Sequence, residues 1–238
     1  MPPESPAPPL SLSLAPPPAK TPEVVSFAAP QLDAPAPHFE GRTTHGFMRL
    51  GDFTGHWLVF FAHPADFTPV CASEFVSFSR NSAGFVELDC RLLGLSLDSV
   101  YAHLAWCESI REHFGVAVQF PIMEDVSGDI SRRYGMLHRR GGADVRALFI
   151  IDPKGMLRAM LYYPPTTGRS VREVLRLLQA IQTADRLHAV TPEGWQPGEA
   201  TVEPPPETVA AAEARKALTF GCVDWYYYTK PTEPAVTP

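Results

Sequence analysis

The sequence lacks paired cysteines, long apolar runs and an excess of basic residues, and each of these absences excludes a class of protein. Its four cysteines contain no C-x-x-C pair, which excludes a disulfide scaffold, a zinc ribbon and a redox dithiol centre. No apolar run approaches the roughly 18 residues of a membrane-spanning helix. With 20 basic residues, 26 acidic residues and a net charge of -6, the chain offers no basic patch for nucleic acid or an anionic membrane. We therefore expect neither partner.

Proline is abundant instead, and its distribution divides the 238 residues into three segments. Twelve of the 26 prolines lie in residues 1–37, and eight lie between Pro192 and the end. Residues 1–29 predict a disordered extension, because they carry too little apolar surface to fold and lack the basic start of a signal peptide. We expect a folded domain over 30–189. The proline-rich and aromatic segment 190–238 is expected to be an arm that packs on another surface, such as a second subunit.

The middle segment predicts alternating strands and helices. The continuous apolar run WLVFFA (57–62) indicates a strand buried on both faces, and residues 91–97 and 146–151 indicate two more. Asp152-Pro-Lys-Gly155 predicts a tight turn into a returning strand over 156–162. Helices are expected over 71–85, from a cap at Asp98 or Ser99 through Glu112, and over 126–134, 168–187 and 210–218. This order favours an α/β sandwich with a mixed sheet.

Cys71 stands in a different setting from the other three cysteines. It follows the buried strand and the loop HPADFTPV (63–70), and it opens a predicted helix. The unpaired amides and the positive dipole of a helix N-terminus favour the thiolate, which is the reactive form. Thr68 can place a hydroxyl beside the sulfur, and Pro64 can fix the loop. The local sequence leaves two interpretations open: a reactive cysteine, or a helix N-terminus that happens to contain one.

The segment around Cys71 carries a family resemblance. Pro64-x-x-x-Thr68-x-x-Cys71, within FFAHPADFTPVCASEF, resembles the active-site signature of the peroxiredoxins. Further segments are similar to the family in the same order: LSLDSVYAHLAWCESI (95–110), FPIMED (120–125), RALFIIDPKG (146–155) and YYPPTTGRSVREVLRLLQAIQ (162–182). TPEGWQPGEATVEPPP (191–206) is similar to the C-terminal arm of the 1-Cys subfamily.

The resemblance implies a thioredoxin-like fold and an antioxidant enzyme that reduces hydrogen peroxide and alkyl hydroperoxides without a cofactor. Cys71 would be the peroxidatic residue, whose thiolate attacks the peroxide and becomes a sulfenic acid. By position, Thr68 would orient the peroxide and Pro64 would shield the site. Arg146 matches the family arginine that contacts the thiolate and the substrate.

Other residues near the motif are supporting candidates with simpler alternatives. Arg169 matches a second family arginine and His63 matches a histidine near the sulfur. Without the resemblance, Arg146 is a strand-end arginine that snorkels to solvent, Arg169 a solvated first-turn charge and His63 a loop group. Glu74 either pairs with an arginine or complements the helix dipole. We expect Asp66 to be a loop turn residue, and the eight histidines show no ligand spacing, so no metal site is expected.

The sequence leaves open how the sulfenic acid is reduced. Cys90 and Cys107 lie in a predicted strand and on an apolar helix face, where inert packing is expected. Some archaeal members of the subfamily have two arm cysteines spaced C-x-x-x-x-x-C, and this chain has Cys222 at the first position and Tyr228 at the second. Either an external thiol, such as glutathione or a thioredoxin-like protein, reduces Cys71, or Cys222 of a partner subunit resolves it after local unfolding. We favour the first.

Several expectations concern the whole protein. The arm predicts a homodimer, with higher oligomers open, and the lack of a targeting segment predicts a cytoplasmic location. Gly51-Asp-Phe-Thr-Gly55 has Phe53 where mammalian 1-Cys relatives have the serine of a lipase-like motif, so no phospholipase activity is expected. The alternative function, from another class, is a peroxide-sensing switch that uses the same Cys71 and signals through the arm or the proline-rich segment.

Overall fold

This computed structural model describes residues 30–138, 142–218 and 220–230; residues 1–29, the predicted disordered extension, lie outside the described residues. The strands are β1 Glu40–Thr43, β2 Gly46–Arg49, β3 Trp57–Ala62, β4 Cys90–Ser96, β5 Ile122–Glu124, β6 Arg146–Ile151, β7 Leu157–Tyr163, β8 Thr201–Val202, β9 Cys222–Asp224 and β10 Tyr227–Lys230. The helices are α1 Pro69–Arg80, α2 Ser82–Glu87, α3 Val100–Phe114, α4 Asp129–Arg133, α5 Val171–Leu187 and α6 Val209–Lys216.

Seven of these strands form one mixed sheet, in the order β2-β1-β5-β4-β3-β6-β7. The central strand β3 is parallel to β4 and antiparallel to β6. β5 extends the parallel part, and β7 extends the antiparallel part through the hairpin with β6. The predicted mixed sheet is confirmed, and so is a β3 strand buried on both faces, since all six of its residues are buried.

The core lies on both faces of the sheet because alternate residues of β3 point to opposite sides. Val59 and Phe61 pack with α1, α3 and α5, where the Phe61 and Phe78 rings stack at 4.4 Å. Leu58 and Phe60 face a second cluster that includes Phe39, Tyr134 and Phe149. Burial of several aromatic rings on each side fixes the strand from which the loop to α1 departs.

Four predicted helices are shorter in the structure. The helix expected over 168–187 begins at Val171, and the helix expected over 210–218 ends at Lys216. The helix expected over 71–85 ends at Arg80, because Asn81 leaves helical geometry and α2 begins separately at Ser82. The helix expected over 126–134 covers only α4, since Gly128 at its start has a left-handed backbone with φ of 71°. The predicted cap at Ser99 is confirmed, because its side chain accepts from the amide of Ala102.

The C-terminal arm forms a small three-stranded sheet in the order β8-β10-β9, and α6 lies between β8 and β9 in the chain. It joins the core through the buried Trp195, whose carbonyl oxygen accepts from Arg176 at 2.9 Å. Gly221, with φ of 75°, begins the β9–β10 hairpin, and a Cβ there would lie 2.5 Å from the carbonyl oxygen of Thr229. Large apolar side chains remain exposed on the arm: Val209, Phe220, Val223 and Tyr226. None of the helices in the described part of the chain has the length and hydrophobicity needed to span a bilayer.

Candidate active site

The loop between β3 and α1 places Cys71 at the end of the central strand. Residues 63–68 lead into α1, whose first residue is Pro69. Cys71 is therefore the third residue of the helix, and it has no exposed surface. The Thr68 side chain makes no cap hydrogen bond, so the first turn keeps its uncapped amides and positive dipole next to Cys71.

Arg146, the first residue of β6, contacts the sulfur directly. Its Nη1 lies 3.3 Å from Sγ of Cys71 and 2.8 Å from Oε2 of Glu74. Its Nε and Nη2 donate to the carbonyl oxygen of Pro165, at 3.0 and 2.9 Å. Only 2% of Arg146 is exposed, so the alternative of a strand-end arginine that snorkels to solvent is wrong. The guanidinium is therefore held beside the sulfur by one carboxylate and one carbonyl oxygen.

Glu74, one helical turn after Cys71, is held by both arginines. Arg169 donates from Nε to Oε1 and from Nη2 to Oε2, each at 2.8 Å, and its backbone amide donates to Oε1 at 2.6 Å. Burial alone would raise the pKa of Glu74, but the hydrogen bonds and charge of Arg169, together with the charge of Arg146, outweigh it and hold the pKa below its usual value. Arg169 is buried, so the alternative of a solvated first-turn charge is also wrong.

The Thr68 hydroxyl has a different partner from the one expected. It donates to the carbonyl oxygen of Ala65 at 2.8 Å rather than to the sulfur. Because its proton is used there, the lone pairs of Oγ1 remain available to accept from an O–H group, such as that of a hydroperoxide. Pro64 stands half-buried at the start of the same loop.

His63, Asp66 and His103 form a cluster that we call the buried trio. Asp66 Oδ1 lies 2.8 Å from His63 Nε2, and Asp66 Oδ2 lies 2.8 Å from His103 Nδ1. Asp66 lies in a turn and His63 in the loop after β3, as expected, and both are in addition buried in this network. Each carboxylate oxygen of Asp66 therefore has an imidazole partner, and its backbone amide donates to Asp98 at 2.8 Å.

The buried trio is the group of residues that the sequence spacing missed. Its ligand atoms lie within 4.8 Å of one another, so these three side chains are the candidate metal ligands among the described residues. In the structure they hydrogen-bond to one another instead. One signal was present in the sequence: His103, Trp106 and Ile110 follow helical spacing, and these are the buried residues of α3.

The settings of Cys90 and Cys107 disfavour the thiolate, and Cys222 lies on the arm. Burial raises the pKa of Cys90 to about 12, and burial, with a smaller contribution from the charge of Asp66, raises the pKa of Cys107 to about 11. Cys222 is half-buried in β9, and its Sγ is 3.4 Å from the carbonyl oxygen of Asp224. The register of the hairpin pairs Cys222 with Tyr228, so the two positions of the archaeal cysteine pair lie opposite each other.

Two further buried side chains bear on the site. Phe53 ends a short 3₁₀ helix and packs in the core, so the position of the lipase-like serine holds a buried phenyl ring.

Asp144, two residues before Arg146, is fully buried and neither carboxyl oxygen has a hydrogen-bond partner among the described residues. Burial raises the pKa of Asp144 to about 7, and the charges of Asp125 and Asp98 add to the shift.

The charges around the sulfur balance when Cys71 is ionised. The thiolate and Glu74 carry two negative charges, and Arg146 and Arg169 carry two positive ones. The fold and the site together define the class as a thioredoxin-like protein with one buried, arginine-bound cysteine.

Comparison with known proteins identifies the family to which the chain belongs. The model of the AhpC/TSA family matches residues 32–160, and that of the C-terminal domain of 1-Cys peroxiredoxin matches residues 180–216. A peroxiredoxin from Aquifex aeolicus is 47% identical over 221 residues, which cover 87% of this chain and 99% of the relative. Peroxiredoxin 2 from Thermoplasma acidophilum is 42% identical over 191 residues, covering 80% and 96%. The chain belongs to the peroxiredoxin family, as its motifs predict.

Solved structures agree with this assignment. A yeast mitochondrial 1-Cys peroxiredoxin superposes with a TM-score of 0.76 at 33% identity, covering 85% of this chain and 99% of that one. A cysteine-to-serine mutant of peroxiredoxin 6 from Arenicola marina has a TM-score of 0.74 at 30% identity, with the same coverage of 85% and 99%. The predicted thioredoxin-like fold with a C-terminal extension is confirmed, and the chain is a thiol-dependent peroxidase. The peroxide-sensing alternative is not favoured.

Proposed function

We propose that Cys71 is the peroxidatic residue of this peroxidase. Its thiolate attacks one oxygen of the hydroperoxide, an S–O bond forms, and the O–O bond breaks. The sulfur is oxidised by two electrons to a sulfenic acid, while the leaving oxygen takes up a proton and departs as water or an alcohol. The observation that carries the proposal is the 3.3 Å contact between the Arg146 Nη1 and the Cys71 Sγ.

The neighbouring residues have complementary proposed roles. Arg146 stabilises the thiolate and the negative charge that develops on the leaving oxygen, because its guanidinium is already fixed by Glu74 and a carbonyl oxygen. Arg169 fixes Glu74 in turn. Thr68 accepts the O–H of the hydroperoxide and thereby orients it. Pro64 and His63 border the loop, where Pro64 shields the sulfur from water.

We propose that an external thiol reduces the sulfenic acid, in preference to Cys222. Support comes from Tyr228, which stands opposite Cys222 where a second arm cysteine would be. The yeast neighbour is described as resolved through glutathione and thioredoxin systems, which makes thiols of these two kinds the reductants to test here. All four cysteines are free thiols in the structure, which supports a cytoplasmic location.

A homodimer is the proposed assembly. The exposed apolar side chains of the arm include Phe220 and Val223, which are 91% and 79% exposed, and a cluster of such side chains is typical of an interaction surface. Strand β7 is the last strand of the seven-stranded sheet in the described part of the chain, and an edge strand can pair with another subunit. A second copy of the chain would cover such surfaces, and larger assemblies remain compatible with both.

Mass spectrometry after one equivalent of hydrogen peroxide tests the proposed site. We expect one added oxygen on the Cys71 peptide, trapped within seconds by a sulfenic-acid reagent, in the wild type and in Cys90→Ser. Cys71→Ser should lose both the adduct and peroxide consumption. An unmodified Cys71, or full activity in Cys71→Ser, would refute the proposal, and a Cys71–Cys222 cross-link would refute the preference for an external thiol.

A further inference from the structure

Residues 164–169, between β7 and α5, contact both arginine-binding elements of the site. The carbonyl oxygen of Pro165 accepts from Nε and Nη2 of Arg146, at 3.0 and 2.9 Å. At the other end of the segment, the backbone amide of Arg169 donates to Oε1 of Glu74 at 2.6 Å. Glu74 in turn accepts from Nη1 of Arg146 at 2.8 Å. The Arg146 guanidinium is therefore bound on one side by this segment and on the other by a carboxylate that the segment also binds.

Little apolar packing holds the 164–169 segment in place. Residues 164–168 are exposed, and Arg169 is the buried residue of the six. Within the segment, the backbone amide of Thr167 donates to the carbonyl oxygen of Pro164 at 3.1 Å, which closes a turn. A surface segment with few buried apolar contacts opens readily unless specific contacts hold it. The position of this segment therefore depends on its hydrogen bonds to the site and on its contact with α1.

Gly168 makes the contact with α1. A Cβ on Gly168 would lie 3.3 Å from Cγ1 of Val70 and 3.8 Å from Cγ of Glu74. The first distance is shorter than the separation of about 3.5–4.0 Å at which carbon atoms pack. Gly168 is not one of the glycines with a positive φ, so left-handed strain is not the reason for a glycine here. Its missing side chain matters because it allows the segment to approach the helix closely.

Val70 resists displacement from its side of this contact. It is the second residue of α1, and a β-branched side chain in a helix has one strongly preferred rotamer. A side chain at position 168 would therefore push the 164–169 segment away from the helix. Because Pro165 lies three residues from Gly168, its carbonyl oxygen would move off the Arg146 guanidinium.

We propose that Gly168 is a positioning residue of the peroxidase: because it has no side chain, the 164–169 segment lies against the first turn of α1, where the Pro165 carbonyl oxygen holds Arg146 beside the Cys71 sulfur. The inference rests on the proposed roles of Cys71 and Arg146. Gly168 acts through the guanidinium and not on the peroxide itself. A displaced guanidinium stabilises the leaving oxygen less well, because such stabilisation requires donors that are already fixed in place.

The first test compares Gly168→Ala with Gly84→Ala. Gly84 lies in α2, and a Cβ there would lie 3.6 and 3.7 Å from the two methyl groups of Leu175, an ordinary van der Waals contact. Stopped-flow fluorescence measures the second-order rate constant with hydrogen peroxide. We expect a loss of about fivefold or more in Gly168→Ala and a change within about twofold in Gly84→Ala, since a misplacement of about 1 Å costs about 100-fold. A folded Gly168→Ala that reacts at the wild-type rate overturns the proposal.

The second test asks whether removal of the opposing methyl group restores the rate. Val70→Ala deletes Cγ1, the atom that the added Cβ would meet. When Gly168→Ala is added to Val70→Ala, the rate constant should therefore change by less than about twofold, whereas two independent effects would add. This comparison also applies if Gly168→Ala alone fails to fold. A loss of about fivefold or more in the double variant, relative to Val70→Ala, overturns the proposal.

The third test asks whether Gly168 acts through Arg146. Arg146→Gln has no guanidinium for the Pro165 carbonyl oxygen to hold, so the addition of Gly168→Ala should change its rate constant by less than about twofold. A further fivefold loss overturns the proposal. If Cys71→Ser stays active or Arg146→Gln reacts as the wild type does, the proposed site itself is wrong. A fast Gly168→Ala beside a slow Arg146→Gln refutes the role of Gly168 alone.

Discussion

Glu74 and Arg169 are joined by three hydrogen bonds although 95 residues separate them in sequence. The pair ties the first turns of α1, and with them Cys71, to the segment just before α5. Arg146 shares the same carboxylate, so one buried glutamate fixes both arginines of the site. The position of the guanidinium beside the sulfur therefore depends on Glu74 as much as on Arg146 itself.

Removal of the charge of Glu74 should cost both activity and stability. Glu74→Gln leaves two buried guanidinium groups without their counter-charge, which we expect to lower the free energy of unfolding by about 3 kcal/mol. Glu173→Gln breaks a partly exposed pair with Arg176 and should cost less than about 1 kcal/mol. Urea unfolding of both variants measures the difference. Equal losses would show that the Glu74 network is not specially stabilising.

Glu74 should also make the free energy of unfolding depend on pH. Because the folded-state pKa of Glu74 lies below its ordinary value of 4.5, the stability it contributes is present above that value and is lost as the pH falls through the folded pKa. The acid unfolding of the wild type should therefore be steeper than that of Glu74→Gln. Identical acid transitions would contradict this.

Arg146 should matter mainly for the peroxide step. Arg146→Gln removes the donor beside the sulfur, and we expect the second-order rate constant with hydrogen peroxide to fall about 100-fold or more. The exposed Arg132, paired with Asp129 on α4, provides the control Arg132→Gln, which should stay within about twofold. Stopped-flow fluorescence measures both. Wild-type rates in a folded Arg146→Gln would show that the contact plays no part in catalysis.

Cys222 should be dispensable for turnover with small thiols. Cys222→Ser is expected to keep full multi-turnover peroxidase activity with glutathione or dithiothreitol, and non-reducing gels of the oxidised wild type should show no cross-linked dimer. Cys107→Ser controls for the loss of any partly buried thiol. Collapse of turnover in Cys222→Ser alone would establish a resolving cysteine on the arm.

Asp144 should make the protein less stable as the pH rises. Its folded-state pKa of about 7 lies above the ordinary value of 3.8, so the folded protein retains a proton that the unfolded chain loses, and stability falls between these values. The free energy of unfolding of Asp144→Asn, relative to that of the wild type, should therefore rise by about 2–3 kcal/mol between pH 5 and pH 8. The exposed Asp129→Asn should show no such gain. A difference in unfolding free energy between Asp144→Asn and the wild type that does not change with pH would contradict the raised pKa of Asp144.

Gly221 offers a test of the arm as the dimer contact. Gly221→Ala forces a Cβ against the carbonyl oxygen of Thr229 and should open the β9–β10 hairpin. Gly194→Ala has a similar left-handed backbone, φ of 65°, but open space around the added Cβ, so it controls for backbone strain. Sedimentation should show a weaker dimer for Gly221→Ala alone. An unchanged assembly would place the subunit contact elsewhere.

The sequence predicted those parts of the site that reside in one contiguous pattern. The apolar run at 57–62 identified the central strand, and the Pro64, Thr68 and Cys71 spacing identified the helix start, because both are local. The Asp66 contact to His103 joins residues 37 apart and follows no spacing rule. The break at Asn81 was missed as well, since neither glycine nor proline marks it and tertiary packing decides where such a helix ends.

The complete burial of Cys71 has different consequences for the two reactants that must reach its sulfur, the hydroperoxide and the reductant. With Cys71 as the proposed peroxidatic residue, a hydroperoxide of a few atoms would need only a small fluctuation to enter, whereas any reductant would have to reach a sulfenic acid within the first turn of α1. Recycling then proceeds at the intrinsic rate multiplied by the fraction of molecules whose first turn is open, and each additional ~1.4 kcal/mol of opening cost reduces that fraction about tenfold. The bonds of Glu74 with the two arginines, which hold that turn closed, therefore also set how long the oxidised enzyme persists.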